Sequence, residues 1–582
     1  MRGARVVPGS PVRAPSRSRD YDSGVRIHGT GAPRLHRTPA IGAAIVGAAL
    51  ACGCSSPAPS GPPPPAAVAK DAETPAVRRI RQVLDRVPEA LAKNHKAFAG
   101  PDGPVEGFGA GEAYPQIWLR DSAWIVPAAA DLYGEAALFS WLDLHLRAAG
   151  PTGRLRDWVA IAKPEAFREW APRVQAVGAI AVDTNTNESD QEPSAALAYC
   201  RAVAALPQSD AVRGSAHASR VKGLARALDA LLKERGDAAT GLVWSGLTAD
   251  WGDVSPLYPD QRAIYLDAKT PRVFGLYANV MTAAALDCLA GVDPDALRAR
   301  RFTQKATALR KAVRERFFDK DLGYFRLRLP KDPLPEAFRD DTRFALGGNA
   351  LAALYGIADD AEAGSIFAKA EALRAANRFS TIATTLIPPY PAGVFAHPAM
   401  KGPFQYQNGG QWDWYGAALI EAEFVRGHAA LARQHLDQTV SRILHAGPGI
   451  HEWYTPEGEP RGSASYAAAA AALHGAIVRG LLGVSTTAEG LRIRLRTADT
   501  LRDFSAPGRS GLAISQIVVG RERVVRVRSA VAVREVCALV ARDAEERAPS
   551  SLLKSRAGDD SYLCADTRHQ KPPLEVRFPE NP

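Results

Sequence analysis

HEWYTPEG, residues 451–458, leads into an Ala-rich segment over residues 464–482 that we predict to be a helix. The octapeptide contains a Pro and a Gly, which are typical of a turn, and it places the carboxylate of Glu452 beside two large aromatic side chains. A polar, aromatic loop followed by a long apolar helix is therefore the local pattern from which the fold of the chain is predicted.

Upstream of this stretch, apolar residues recur at intervals of three and four, and Gly, Pro and Asp separate the segments. Twelve helices are predicted at 77–94, 121–132, 134–149, 192–206, 214–235, 271–290, 296–318, 344–356, 359–376, 411–426, 428–446 and 464–482. Twelve helices with mixed short and long connections favour a mainly α fold, an (α/α)6 barrel of six inner and six outer helices with long loops at one end. A helical-repeat solenoid is the alternative, but the chain shows no self-similar period.

After Leu482 the period of the apolar residues changes to two, which predicts half-buried β-strands. The alternation is clear in residues 491–495, 525–528, 531–536 and 574–578. We therefore predict a barrel over residues 77–483 and a small C-terminal β-sheet or β-sandwich module over residues 484–582. A Pro/Ala/Ser-rich linker over residues 55–76 precedes the barrel.

The net charge of +10 is concentrated at the N-terminus. Residues 1–39 contain eight Arg and two Asp, a net +6, which leaves +4 for the rest of the chain. That remainder has no basic patch with interleaved aromatics, so no nucleic-acid partner is predicted. The apolar run over residues 41–51, followed by Cys52 and Cys54, predicts an export signal over residues 1–54. The expected location is periplasmic, outer-membrane or cell-surface, and the only membrane contact expected is a lipid anchor at Cys52 or Cys54.

Four cysteines lie beyond the leader. Cys200 and Cys288 occur in apolar helical segments and are interpreted as buried thiols. Cys537 and Cys564 lie in the β-rich region, where an exported context permits a disulfide, and the sequence leaves their pairing open. No Cys/His spacing resembles a zinc site and no Gly-rich strand–helix turn suggests a nucleotide, so neither a metal nor an organic cofactor is predicted.

Two loops carry the candidate catalytic carboxyls. One contains Glu452, and the other is WSGLTADWGDV, residues 244–254, in which Asp250 and Asp253 bracket Trp251. Inverting hydrolysis of a glycosidic bond needs one carboxylic acid and one carboxylate on opposite faces of a sugar ring. An aromatic neighbour helps to keep the acid protonated because it limits the hydration of the charged carboxylate. The alternative is that the first loop plugs the core with its aromatics and the second is a turn with exposed aspartates.

Three further loops supply candidate sugar contacts. They are QIWLRDSAW over residues 116–124, NTNESDQE over 185–192 and FQYQNGGQWDWYG over 404–416. The acidic residues of the first two loops also suit helix N-termini, which is the structural alternative. The predicted substrate-binding residues are Trp118, Arg120, Asp121, Glu188, Asp190, Trp251, Tyr406, Gln407, Asn408, Trp412 and Trp453.

Four segments resemble those of the six-hairpin glycoside hydrolases, the group that contains glucoamylases, trehalases and processing α-glucosidase I. The resemblance covers about residues 78–483. Residues 118–121 are similar to a W-x-R-D segment, 406–412 to Y-x-N-G-G-x-W, 452–458 to E-x-Y-x-P-x-T-G, and Ser245-Gly246 with a following aspartate to S-G-x-D.

The resemblance implies an (α/α)6 barrel that hydrolyses glycosidic bonds with inversion, without metal or organic cofactor. It implies that Glu452 is the general base and that Asp250 or Asp253 is the general acid. Two extra residues separate Gly246 from Asp250, so the choice between the two aspartates stays open. The third segment lacks its Thr, and the match to any one subfamily is loose, so the sugar is not predicted.

The predicted function is thus an exported, exo-acting glycoside hydrolase for a short neutral or modestly charged oligosaccharide. One alternative is a polysaccharide lyase on the same barrel class, with Tyr406, His397 and Asn408 near the reacting uronate. The other is a non-catalytic glycan-binding surface lipoprotein, in which the carboxylates only accept hydrogen bonds from hydroxyls. The sequence makes no prediction of the oligomeric state.

Overall fold

The computed structural model describes residues 73–579 apart from gaps at 101–102, 113, 131, 162–173, 178–179, 184–185, 207–211, 340–341, 507, 509–510, 520 and 547. The predicted export signal and residues 55–72 of the predicted linker lie outside the described residues. The first described helix begins at Pro75, and Thr74 caps it by accepting a hydrogen bond from the Val77 amide at 3.2 Å.

The described chain contains all twelve predicted helices, the first of which is split in two near Asp85. The helices are α1 (Pro75–Leu84), α2 (Val87–Asn94), α3 (Leu119–Ala129), α4 (Glu135–Ala148), α5 (Gln191–Ala205), α6 (Ser215–Arg235), α7 (Leu276–Val292), α8 (Ala296–Phe317), α9 (Leu346–Leu354), α10 (Asp360–Ala376), α11 (Asp413–Val425), α12 (Ala429–His445) and α13 (Ala467–His474). A π-helix, Gly475–Leu481, continues α13. None of the helices in the described residues is long and apolar enough to cross a membrane.

Six of these helices form a closed inner ring. Each of α3, α5, α7, α9, α11 and α13 packs against the next, and α13 packs against α3 to close the circle. The inner helices are buried on almost every side; every residue from Gln191 to Cys200 of α5 is buried. Each outer helix buries a single stripe of apolar side chains. In α8 this stripe consists of Phe302, Ala306, Leu309, Val313 and Phe317. This arrangement confirms the predicted (α/α)6 barrel.

The two ends of the barrel differ in the length of their connections. Inner helices pass to the next outer helix through short turns, such as residues 293–295 after α7 and 426–428 after α11. Outer helices return to the next inner helix through long segments, such as residues 236–275 before α7 and 446–466 before α13. The long segments therefore gather at the N-terminal ends of the inner helices.

Short strands brace these long connections. They are β1 (His95–Gly100), β2 (Gly103–Phe108), β3 (Ile117–Trp118), β4 (Trp158–Ile161), β5 (Val174–Val177), β6 (Ile180–Asp183), β7 (Gly236–Asp237), β8 (Leu242–Val243), β9 (Ser245–Gly246), β10 (Arg272–Gly275), β11 (Phe318–Asp319), β12 (Tyr324–Phe325), β13 (Arg328–Pro330), β14 (Phe344–Ala345), β15 (Leu386–Ile387), β16 (Trp453–Tyr454) and β17 (Pro460–Arg461). Two pairings matter for the site. Strands β9, β10 and β13 form one sheet ahead of α7, and β16 and β17 form a hairpin ahead of α13.

The C-terminal module consists of two sheets that share an apolar core, which confirms the predicted β-rich module. Its elements are β18 (Val484–Thr487), β19 (Gly490–Leu495), β20 (Leu501–Ser505), β21 (Ala513–Val519), β22 (Glu522–Arg528), β23 (Val533–Val540), α14 (Arg542–Glu546), β24 (Leu553–Ala557), β25 (Asp560–Asp566) and β26 (Leu574–Pro579). The strand orders are β18-β19-β23-β25-β24 and β20-β21-β22-β26. The Asp559 amide donates to the Gly427 carbonyl at 3.1 Å, in a short inner-to-outer turn. The module therefore lies at the end opposite the long loops.

Two disulfides lie in the described chain. Cys200 of α5 and Cys288 of α7 are bonded, with their Cα atoms 6.1 Å apart, so their interpretation as buried thiols is wrong. Apolar periodicity places each cysteine on a helix, but only the closed ring makes α5 and α7 neighbours. Cys537 and Cys564 face each other on β23 and β25 and are also bonded.

The disulfide between α5 and α7 is expected to stabilise the barrel, because it closes a loop of 88 residues. Replacing Cys200 and Cys288 together by Ser is expected to lower the free energy of unfolding by about 2–4 kcal/mol. Urea unfolding followed by tryptophan fluorescence measures the change. The Cys537→Ser/Cys564→Ser double variant, which opens a 27-residue loop, is the control and should lose less. An equal or larger loss in the control contradicts the prediction.

Candidate active site

Glu452 lies directly before β16, and two donors hold its carboxylate at the mouth of the barrel. The Ser463 amide donates to Oε2 at 3.0 Å, and the Tyr114 hydroxyl lies 3.1 Å from Oε2 and 3.3 Å from Oε1. The side chain is 3% exposed. Burial raises the pKa of Glu452 to about 7, and the two hydrogen bonds oppose that rise. A carboxylate with a pKa near neutrality can accept a proton from water and release it again.

The hairpin that carries Glu452 is fixed from both sides. Gly462 has φ +68°, and a Cβ on it would lie 2.4 Å from Glu452 Oε2, so this position requires glycine. On the other side, Tyr454 exchanges backbone hydrogen bonds of 2.8 and 2.9 Å with Gln411, and the Arg442 guanidinium lies 4.0 Å from the Tyr454 ring centroid. Tyr454 is therefore a core residue, while Glu452 points into the mouth.

Asp250 is held against the start of α9. Its backbone has φ +66°, and its Oδ2 accepts a hydrogen bond from the Gly348 amide at 3.2 Å. Burial raises the pKa of Asp250 to about 7, and the amide hydrogen bonds at the start of α9 oppose that rise. A Cβ on Gly347 would lie 2.7 Å from Asp250 Oδ2, so glycine is required where the carboxylate meets the helix. The contacts of Asp250 are those of a residue that caps a helix N-terminus.

Asp253 is instead partly exposed, on the segment that leads into α7. Its side chain is 25% exposed, its Oδ1 accepts a hydrogen bond from Gln407 Nε2 at 2.9 Å, and its Oδ2 lies 3.8 Å from Arg120 Nη1. The negative charge of Asp253 also contributes to the raised pKa of Glu452. Of the two aspartates, Asp253 is thus the more exposed one, and its charge acts on Glu452.

Arg120 is tied to protein carboxylates. Its Nε donates to Asp190 Oδ2 at 2.5 Å, and the same oxygen lies 3.2 Å from the Tyr277 hydroxyl. Asp190 is almost fully buried and orients Arg120, so its role as a sugar ligand stays a prediction. The Nη1 atom of Arg120 is directed toward Asp253.

Asp121 follows in the first turn of α3 and lies on the Glu452 side of the cavity. Its Oδ1 accepts a hydrogen bond from the Tyr466 hydroxyl at 3.1 Å. Burial raises the pKa of Asp121 to about 7, and the charge of Arg120 opposes the rise. Arg120 and Asp121, two of the residues predicted from the W-x-R-D segment, therefore both lie at the mouth of the barrel.

Two of the predicted stacking residues lie too deep to meet a sugar. Trp251 and Trp412 are 2% and 1% exposed, with ring centroids 4.9 Å apart, and both pack into an aromatic layer with Trp414 and Tyr415. Both rings therefore contact other aromatic side chains in the core, and their roles in substrate binding stay predictions. Trp118 and Trp453 are only half-buried, so their rings keep free area for contact with a ligand.

Asn408 and Glu188 are also structural. The Asn408 amide nitrogen donates to the carbonyls of Tyr390 and Gly402 at 3.0 Å, and its oxygen accepts from the Tyr390 amide at 2.8 Å. Glu188 is buried, the Thr248 hydroxyl donates to its Oε1 at 2.9 Å, and burial raises the pKa of Glu188 to about 8. Both residues therefore hydrogen-bond to the protein in this structure, and their roles as substrate ligands stay predictions. Gln407 contacts Asp253, and Tyr406 keeps a partly exposed ring at the rim.

Sequence reasoning missed the donors around the carboxyls. Tyr114, Tyr466 and the Ser463 amide each bind a candidate carboxyl, but none stands in a segment with a recognisable pattern. Tyr466, the last residue before the Ala-rich helix, is the one with a usable signal, because a polar aromatic at the start of a buried helix is unusual. Tyr114 lies 338 residues from Glu452 in the chain, so no local pattern connects them.

The ring order sets the two candidate catalytic carboxyls opposite one another. Asp253 lies on the segment that leads into α7, and Glu452 on the segment that leads into α13. These are the third and sixth helices of the closed ring α3-α5-α7-α9-α11-α13, so they lie on opposite sides of the barrel. Arg120 and Asp121 enter the space between them from α3.

Tyr114→Phe is expected to move the acidic limb of the pH profile of kcat/KM to higher pH. The limb reports protonation of Glu452, whose pKa is about 7, and loss of a donor to the carboxylate raises that pKa further. The expected displacement is on the order of one pH unit. Profiles between pH 5 and 9 measure it. Tyr562→Phe, which removes a hydroxyl–carboxylate contact in the β-module, is the control. An unchanged limb in Tyr114→Phe would show that Glu452 does not govern it.

No family model matches the chain, and no curated protein matches it. Solved structures that resemble it include the GH63 mannosylglycerate hydrolase from Thermus thermophilus in complex with glucose, with a TM-score of 0.49 and 18% identity over 68% of this chain and 100% of that one. The same hydrolase in complex with Tris has a TM-score of 0.49 and 17% identity, with coverage of 67% and 99%. An uncharacterized conserved protein from that organism has a TM-score of 0.48 and 16% identity, with coverage of 67% and 98%. Likeness of this degree assigns no activity to the chain.

Proposed function

We propose that this protein is an exported glycoside hydrolase that cleaves a short glycan from its end with inversion of the anomeric carbon. The observation that carries the proposal is the placement of Asp253 and Glu452 on segments at opposite sides of one barrel mouth. Inverting hydrolysis requires this arrangement, because the acid and the base act on opposite faces of the sugar ring.

In the proposed reaction Asp253 is the general acid. Its Oδ1 accepts from Gln407 and its Oδ2 lies 3.8 Å from Arg120 Nη1. In the proposed step Oδ2 carries the proton that is given to the glycosidic oxygen as the bond to the anomeric carbon breaks. Glu452 takes a proton from a water molecule, whose oxygen attacks the anomeric carbon from the other face. The Tyr114 hydroxyl and the Ser463 amide hold Glu452 for this step. The hydrogen bond from the Gly348 amide to Asp250 at the start of α9 supports the choice of Asp253 over Asp250 as the acid.

The lyase alternative has less support from these contacts. A lyase needs a side chain that neutralises the uronate carboxylate. The side-chain amide of Asn408 is hydrogen-bonded to backbone groups, and Arg120 is bound to Asp190. Burial also lowers the pKa of His397, although the charge of Asp253 opposes that change. The glycan-binding alternative shares the site with the hydrolase and differs only in turnover, so it is an outcome of the test below.

Export is supported by the two disulfides of the described chain, because such bonds persist in oxidising compartments. One joins two core helices, so it forms part of the barrel itself. Cell fractionation of the native host, with detection of the lipid on Cys52 or Cys54 by mass spectrometry, tests the export and anchoring proposals together.

The test of function is a panel of aryl glycosides and disaccharides of both anomers, with products followed by proton NMR from the first minutes. We expect hydrolysis of one sugar class, with the first-formed product in the inverted configuration. Retention would refute the inverting mechanism. Binding without turnover of any member would refute the hydrolase and favour the glycan-binding protein. Formation of an unsaturated uronide from polyuronides, detected by its ultraviolet absorbance, would favour the lyase.

A further inference from the structure

The positive charge of the barrel is concentrated on two of its outer helices. Helix α8 contains eight basic residues and one acidic residue, and α6 contains five basic residues and two acidic ones, so together they carry a net +10. Residues 40–582 carry a net +4 in all, so the part of that chain outside the two helices has a net charge of −6. One sector of the barrel wall is therefore strongly positive while the remainder is acidic.

The two helices lie side by side, and we call the outward surface of residues 215–235 and 296–317 the basic wall. Arg301 and Lys305 of α8 both donate to Asp229 of α6, at 2.6 and 2.8 Å, so one carboxylate serves two cations. Five further cations of the wall are exposed and have no carboxylate partner in the part of the chain that the structure describes. They are Lys222, Arg226, Lys233, Arg300 and Arg316.

A groove of about 770 Å³ opens on this wall, between α4, α6 and α8. The groove exists because Ala216, Ser219 and Gly223 follow one another along one face of α6, where they leave space between longer side chains of the neighbouring helices. Six basic residues and two acidic residues line it, among them Lys222 and Arg226. A phosphate group that enters this groove therefore meets mainly cations.

The wall also exposes a large apolar side chain. Leu297, in the first turn of α8, is 77% exposed, more than any other large hydrophobic residue of the described chain. Arg300 follows three residues later and Lys311 eleven residues after that, close to one and three whole turns, so all three lie on the outward side of the helix. Cations around an exposed leucine suit a bilayer surface, where lipid phosphates meet the cations and the apolar side chain enters the acyl boundary.

Other polyanions fit this wall less well. Acidic glycans and single-stranded nucleic acids are commonly bound on exposed aromatic rings as well as on cations. The aromatic residues of α8, Phe302 and Phe317, are both fully buried, and α6 has no Phe, Tyr or Trp. An exposed leucine also gains nothing from contact with a polar polymer.

We propose that the basic wall docks this protein on membranes that contain anionic phospholipids. The contact is peripheral, and it is additional to the lipid anchor predicted at Cys52 or Cys54. Because α8 packs along α7, the wall is a side of the barrel, and docking leaves the end with the long loops open. The proposal does not depend on hydrolysis of any glycoside.

The test measures partition of the full chain into sedimented vesicles of phosphatidylcholine with about 30% phosphatidylglycerol, and into phosphatidylcholine alone. A Cys52→Ser/Cys54→Ser background removes both candidate lipid sites, and the leader is identical in every variant. We expect binding to the anionic vesicles only. Lys222→Glu/Arg300→Glu/Lys311→Glu should weaken it at least roughly 100-fold, because each basic residue near an anionic surface strengthens binding roughly fivefold.

The matched control is Arg492→Glu/Lys554→Glu/Lys571→Glu, which makes the same change of net charge at exposed positions of the β-module. It should weaken binding far less than the triple variant of the wall. An equal loss in the control would show that net charge alone governs binding, and absence of wild-type binding to the anionic vesicles would overturn the proposal directly.

Leu297→Ser tests the apolar part of the contact. It should weaken vesicle binding about fivefold, because a leucine side chain that leaves water gains free energy. This effect should persist at high salt, whereas the contribution of the cations should shrink. Leu553→Ser, which changes an exposed leucine of the β-module, is the control and should bind as wild type does. Full binding by Leu297→Ser would show that the leucine does not enter the bilayer and would overturn the apolar part of the contact.

Two further measurements separate this proposal from its rival and from the proposed function. Heparin binding that depends on the wall, without vesicle binding, would overturn membrane docking in favour of an acidic polymer. Turnover of a soluble aryl glycoside should be the same in wild type and in the triple variant of the wall. Vesicle binding by a protein that hydrolyses no glycoside would refute the hydrolase and leave membrane docking supported.

Discussion

Glu452→Gln is expected to lower kcat by roughly 10²–10⁴-fold and to change KM far less, because removal of a general base affects the chemical step. The amide keeps the shape of the side chain, and its oxygen can still accept a hydrogen bond from the Ser463 amide. It cannot take the proton of the attacking water. Steady-state kinetics at pH 7 on the best glycoside of the panel measures both parameters.

Glu457→Gln is the matched control for this result, since it changes an exposed carboxylate of the same octapeptide. It should leave kcat unchanged. Sodium azide offers a second check, because the azide anion needs no base and would attack the anomeric carbon directly. Glu452→Gln with azide should yield a glycosyl azide of inverted configuration. Wild-type turnover in Glu452→Gln would exclude Glu452 as the base.

Asp253→Asn is expected to lower kcat by roughly 10²–10⁴-fold on glycosides with poor leaving groups, because Asn has no proton to give to the glycosidic oxygen. The loss should be much smaller on dinitrophenyl glycosides, whose phenolate leaves without protonation. A leaving-group series measured on Asp253→Asn and wild type shows this difference. A uniform loss across the series would point to a binding defect in place of a missing acid.

Asp250→Asn provides the comparison that separates the two aspartates. Asn tolerates the left-handed backbone of position 250, and its side-chain oxygen can still accept from the Gly348 amide. We therefore expect kcat within about tenfold of wild type and no leaving-group dependence. If Asp250→Asn shows the leaving-group dependence and Asp253→Asn does not, the acid role belongs to Asp250.

The helices could be predicted because burial has a period that is visible in the local sequence. Inner helices such as α7 and α11 are apolar on nearly every side, and outer ones such as α8 show a single stripe at three- and four-residue spacing. The π-helix after α13 is not predicted by the sequence, since it depends on backbone hydrogen bonds that side-chain patterns do not report. The split between α1 and α2 does have a local signal, because Pro88 lies in the first turn of α2.

The site was predicted less completely than the fold. Glu452, Asp253, Arg120 and Asp121 do meet at one end of the barrel, because all lie on or next to segments that precede inner helices. Trp251, Trp412 and Asn408 occupy the same segments yet are buried. A loop sequence does not show which of its aromatic or amide side chains turns inward.

By itself the sequence determined the helices of the barrel, the change from helix to strand after Leu482, and the loops that could carry carboxyls. These are local properties, since the period of burial depends on residues that are close together in the sequence. Only the tertiary structure decided that Asp253 contacts Gln407 while Asp250 is held at the start of α9, that Arg120 is bound to Asp190, and that Cys200 meets Cys288. Each of these depends on which distant segments the closed ring brings together, and hydrogen-bond partners separated by tens to hundreds of residues leave no local pattern.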